Sequence, residues 1–102
     1  MRKLPLLAAS ILLVLAPQAW AYDIFTGKVT TMHLNVDAPG RGACIKLFTT
    51  AGQSPWACLN MSRALHDEMF AMLKTAYNDS RTCTIWVEVA VPYNEIKALE
   101  CS

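Results

Sequence analysis

The chain has 102 residues, 54% of them hydrophobic and 17% charged, with a formal net charge of +1. That length accommodates a single domain. The balanced charge excludes the basic stripe with which nucleic-acid binders displace counterions from phosphates, and no polybasic amphipathic helix offers itself to a membrane surface.

Much of the apolar excess lies in residues 1–21. Met1, Arg2 and Lys3 make a basic start, an apolar run over 4–16 is broken only by Pro5 and Ser10, and Ala19-Trp20-Ala21 forms an A-x-A site. This is the pattern of a secretory signal peptide, and the run is shorter than the roughly 20 residues a membrane span needs. Cleavage is expected after Ala21, leaving 22–102 as one secreted or periplasmic binding domain without membrane insertion. Removing Arg2 and Lys3 from nine Lys and Arg leaves seven against eight Asp and Glu, a net charge of −1.

Residues 25–36 are rich in β-branched side chains and loosely alternating, which predicts a strand with Val29, Thr31, His33 and Asn35 on one face. Gly27 reads as a bulge or kink in it. Residues 37–42 are a turn by composition, 43–50 a second strand, 51–54 a short turn and 55–59 a third strand, with loop lengths that suit antiparallel hairpins. Asn60 or Ser62 is expected to cap a helix that runs to about Tyr77. Leu65, Met69, Met72, Leu73 and Ala76 recur on its apolar face, while Arg63, His66, Phe70, Lys74 and Tyr77 form a second, mixed face. Strands over 82–91 and 96–101 follow, separated by a turn at 92–94. The expected order is β-β-β-α-β-β.

Four cysteines, Cys44, Cys58, Cys83 and Cys101, fall in the exported part. An even count in a small exported domain reads as disulfides. Three pairings are open, and sequence proximity favours Cys44–Cys58 with Cys83–Cys101. The first would remove on the order of 3 kcal/mol of denatured-state entropy in the chain-entropy picture. A metal site lacks its spacing, since there is no C-x-x-C and the histidines His33 and His66 are isolated.

Catalytic groupings are equally absent from the pattern. There is no G-x-S-x-G, no H-E-x-x-H and no phosphate-cradling glycine loop, and the acids are scattered singly rather than paired. His33 reads as a surface or interface residue of a strand and His66 as a solvated helix residue. Asn60-Met61-Ser62 and Asn78-Asp79-Ser80 match a glycosylation pattern, but capping and turn roles account for them. A non-enzymatic protein without a cofactor is expected.

Two segments carry a resemblance. Phe25-Thr26-Gly27-Lys28-Val29 resembles the first-strand F-S-G-V-V of the B subunits of subtilase cytotoxins, and Cys44-Ile45 through Ala51-Gly52 to Ala57-Cys58 is similar to their C-I…A-G…A-C hairpin. More loosely, Ile85-Trp86-Val87-Glu88 resembles their I-Y-Y-E. The resemblance implies a small OB-fold-like barrel of five to six strands with one helix, and it supports a Cys44–Cys58 bridge. It further implies a homo-oligomer, a ring of five, that partners a toxin A subunit and binds sialylated host glycans. Thr26, Asp23 and Glu88 are then the glycan-binding residues. Thr26 keeps the hydroxyl of the family's serine and adds a methyl, whereas the family's pocket tyrosine is replaced by Val87. Trp56 and Trp86 are candidates for stacking on a sugar ring, and the mixed helix face is the candidate for subunit contacts. The competing expectation is a small periplasmic or secreted interaction or inhibitor protein of the same fold without glycan binding.

Overall fold

A computed structural model describes residues 22–102; the expected leader over 1–21 lies outside the described residues. The elements are β1 (Asp23–His33), β2 (Arg41–Thr49), β3 (Gly52–Gln53), β4 (Ala57–Asn60), α1 (His66–Asp79), β5 (Thr82–Glu88) and β6 (Glu95–Cys101). All the strands belong to one mixed sheet in the order β1-β5-β6-β4-β2-β3, and β1 pairs with β2 as well.

That sheet corrects the expected OB-fold-like barrel. The strands form a curled six-stranded sheet rather than a barrel of continuous ladders. A strand that the sequence pattern concealed, β3, folds back on β2 and leaves an outer edge unpaired. The β4–β6 step rests on a single parallel pair, Cys58↔Glu95. Ser54 explains part of this arrangement, because its N–H donates to the Leu47 carbonyl (2.8 Å) and its Oγ accepts from the Leu47 N–H (2.9 Å). The end of β2 is thereby paired to the 52–54 segment and β4 is confined to the other end, where it meets Cys44 and Ile45. The order becomes β-β-β-β-α-β-β. The resemblance to toxin B subunits implied that barrel, and the toxin-subunit expectation conflicts with the sheet observed.

β1 changes partners along its length. Residues 23–28 pair with β5 and residues 28–33 with β2, so that Lys28 faces both Thr82 and Phe48. The register slips between Val29 and Thr31, which places the bulge beyond Gly27. It lets Val29 and Met32 both pack on the core although they are three residues apart. Gly27 has a different role. A Cβ there would lie 2.2 Å from the Phe48 carbonyl oxygen, so the two backbones can approach only at a glycine.

The core joins Val29, Ile45, Leu47, Leu59, Ile85, Val87 and Ile96 of the sheet to Leu73 and Ala76 of α1. The helix packs on a stripe rotated from the expected one. Phe70 and Met69 lie partly buried against the core, whereas Met72 and Leu65 are exposed. The helix also begins later than expected. The Asn60 side chain accepts from the Ser62 N–H (3.0 Å) and hydroxyl (2.7 Å), so both expected caps are used in a turn at the end of β4. Ser80, in the left-handed conformation (φ 54), closes its C-terminus. β5 ends at Glu88, its last residue paired with β6, and 89–94 form a loop.

Both disulfides form as sequence proximity favours, Cys44–Cys58 and Cys83–Cys101. Each joins residues directly opposite one another in a ladder, the first across β2 and β4 and the second across β5 and β6.

Candidate binding cleft

A cleft of about 550 Å³ opens where the end of β1, the start of β2, the segment entering β4 and the 89–94 loop converge. His33, Arg41, Trp56, Tyr93 and Asn94 line it, with Cys44 and Cys58 beneath. Two hydrogen bonds dock the loop on the β4 segment. The Cys58 N–H donates to the Asn94 carbonyl (2.8 Å), and Asn94 Nδ2 donates to the Trp56 carbonyl (3.1 Å). The disulfide ties β4 to β2 directly behind them. The walls therefore come from four parts of the chain, held together by ladder pairing, the disulfide and these two hydrogen bonds.

Trp56 is 42% exposed, so its indole presents a broad apolar surface to solvent. Lys46 Nζ sits 4.7 Å from the centre of the indole, and the His33 ring meets it edge-on at 6.1 Å. A cation over an aromatic face and an edge-to-face ring pair are both favourable, and together they restrict the indole's rotamers. The Tyr93 hydroxyl is held above its ordinary pKa, first by burial and then by the negative charge of Glu95. It therefore remains a neutral O–H at physiological pH, able to donate and to accept. Arg41 contributes a different chemistry. Its Nε is buried with no hydrogen-bond partner, and the guanidinium enters no ion pair among the described residues.

Arg41 also borders a second, apolar cleft of about 510 Å³, lined by Leu34, Val36, Met61 and Phe70. His66 closes its floor. The His66 ring stacks on Phe70 (centroids 6.2 Å apart), Nδ1 lies 2.9 Å from an Asp67 carboxylate oxygen, and Nε2 is buried against Gly42. With Nε2 shut away, this His–Asp pair has no nitrogen facing a substrate.

The residues expected to bind glycan lie along the β1–β5 ladder and share no single face. The Thr26 hydroxyl is 2.9 Å from that of its cross-strand partner Thr84. Thr26 lines a third cleft, of about 480 Å³, with Ile24, Thr49 and Gln53 among its neighbours. Asp23 stands opposite the buried Val87, on the other face of β1 from Thr26. Glu88 lies at the end of β5 and faces Lys97, whose Nζ is 3.4 Å away. Of the two tryptophans, Trp56 belongs to the principal cleft, while Trp86 is half-buried beside Ile24. The reading of the sequence passed over Arg41, Tyr93 and Asn94 as turn residues and His33 as a lone strand residue. No motif links them, and only the fold makes them neighbours.

Among the described residues no group of three or more His, Cys, Asp or Glu is placed to hold a metal ion. No protein-family model and no curated protein matches the chain.

Proposed function

We propose that this chain is an exported, non-enzymatic binding protein that takes a saccharide in the Trp56 cleft. The observation that carries the reading is the indole itself, exposed at a concave site and steadied by Lys46 and His33, with neutral hydrogen-bonding groups on Tyr93 and Asn94 beside it. A pyranose has an apolar C–H face and a rim of hydroxyls. It needs a flat aromatic surface to desolvate the first and a few fixed donors and acceptors for the second, and this cleft supplies both. Export is supported by the leader pattern over 1–21 and by two disulfides, which an oxidising compartment preserves.

The test is a glycan array probed with the processed, oxidised protein and with Trp56→Ala and Trp86→Phe variants. Binding above background is expected for the wild type and for Trp86→Phe, with a loss of at least tenfold for Trp56→Ala. A blank array at high protein concentration refutes the reading. It would favour the alternative of a protein-interaction factor, for which the exposed Val89 and Val91 in the same loop offer an apolar contact (67% and 95% exposed).

A further inference from the structure

We infer that the Trp56 cleft recognises an oxyanion on its ligand, a carboxylate or a sulfate or phosphate ester, with the Arg41 guanidinium as its anchor. The inference deepens the saccharide reading and rests on it only for the remainder of the ligand.

The first ground is the state of Arg41. A guanidinium carries five N–H donors and stays charged, and a buried donor left without an acceptor is unfavourable. Here Nε is buried without a partner and is closed to a ligand, but the guanidinium enters no ion pair among the described residues, so its charge is left to be met at the Nη groups. The other basic groups nearby on the fold are used differently. Arg63 and Lys97 both engage the Glu95 carboxylate, at 2.8 and 3.6 Å. That carboxylate also accepts from Asn60, so it is committed away from Arg41.

The second ground is the sign of the surrounding charge. No Asp or Glu lines the cleft. Lys46 stands at its tryptophan and His33 on its wall, while Glu95, the acid that acts on Tyr93, lies outside the lining and is paired with Arg63 and Lys97. A chain with more acids than bases over 22–102 has no general positive field to account for this. The concentration of basic groups is a property of the fold at one place, and low-dielectric walls focus such a field into the cleft.

The third ground is geometry of recognition. The guanidinium fork binds the two oxygens of a carboxylate or ester in parallel. With the indole as a flat platform and Tyr93 and Asn94 as neutral partners, the cleft has one place for charge and another for a ring.

The test is a titration of the processed, oxidised protein at low ionic strength, followed by the NMR signals of the Trp56 indole N–H and the Asn94 side-chain amide. Three probes are used: glucose, glucuronate and inorganic sulfate. Glucuronate is expected to bind at least tenfold more tightly than glucose and to weaken as salt is raised. Arg41→Gln is expected to abolish that preference, so that the variant binds glucuronate no more tightly than it binds glucose, and Arg41→Lys to restore part of it. Equal affinity for glucose and glucuronate in the wild type overturns the inference and leaves the saccharide reading standing. Saturable sulfate binding that Arg41→Gln removes, with no response to either sugar, upholds the oxyanion site and refutes the saccharide. No response to any probe refutes both. Should Arg41→Gln fail to fold, Lys46→Gln replaces it, with a loss of at least twofold for glucuronate expected and an unchanged affinity overturning the inference.

Discussion

Replacing Glu95 with Gln should loosen the weakest seam of the sheet. Glu95 is the one residue through which β6 registers with β4, opposite Cys58. Its carboxylate accepts from Arg63 Nε at 2.8 Å and Nη2 at 3.4 Å, and from Asn60 Nδ2 at 3.2 Å. Glu95 is 8% exposed, so the carboxylate depends on these partners rather than on water. Arg63 above all, then Asn60 and Lys97, hold its pKa below the ordinary 4.5 against the opposing effect of burial. Hydrogen bonds to charged groups contribute about 1.5–3 kcal/mol each, but the guanidinium side is half exposed and returns readily to water. Glutamine also keeps an acceptor for Asn60, so the loss at neutral pH should be about 1–2 kcal/mol. Because the folded pKa lies below the unfolded one, the folded state binds fewer protons there. The contribution is complete above 4.5 and is lost as pH falls through the folded value. Urea unfolding with disulfides intact, from pH 7 down to about pH 3, measures both effects. The wild type should lose more stability than Glu95→Gln across the acid range, so that the two curves converge. Parallel curves, or equal stability at pH 7, would refute the reasoning.

Gly27→Ala should cost about 3 kcal/mol or prevent folding, because the new Cβ would meet the Phe48 carbonyl oxygen at 2.2 Å and only backbone can give way. Urea unfolding measures it, and a loss below about 1 kcal/mol would show that β1 lifts off β2 freely. Joint replacement of Cys83 and Cys101 by serine should cost about 2–4 kcal/mol, since the bridge closes a separation of 18 residues across β5 and β6. Thermal unfolding reports it, and an unchanged midpoint would show that the ladder alone holds the last strand.

What could be read from the sequence was composition bounded by turns, and spacing where one face is buried. Loose alternation disclosed β1, β-forming and apolar runs between turn signals disclosed β2, β4, β5 and β6, and the helical spacing disclosed α1. Cysteine proximity pointed to the right bridges because each bridge spans neighbouring strands. Two-residue β3 was invisible for the opposite reason, since Gly52 and Gln53 have no pattern and are strand only because Phe48 and Thr49 lie opposite. The slip at Thr30 broke the expected alternation of β1, so Val29 and Met32 share the core against their spacing. The rotated helix stripe has a similar cause. Phe70 is the larger apolar surface, and taking it inward turns Met72 outward. Short motifs do not specify faces: Asp23 and Thr26 are three residues apart and lie on opposite faces of β1, while Glu88, from a separate segment, lies at the end of the neighbouring β5.

The cleft shows why its residues left no trace in the chain. Tyr93, Asn94 and Glu95 are consecutive, yet each acts on a different part of the fold. Tyr93 lines the cleft, Asn94 bonds the backbone of Trp56 and Cys58, and the Glu95 side chain binds Asn60 and Arg63. The strand β6 therefore begins where the binding wall ends, and the loop can hold its place only if the seam beneath it is closed. Its rigidity comes from the opposite side of β4, where Cys58 is tied both to Cys44 and to Asn94. A disulfide that stabilises the sheet thus also fixes the distance between the Arg41 wall and the Tyr93 wall. Under the proposed function, stability and recognition would share these atoms, in residues that look, in sequence, like an ordinary turn.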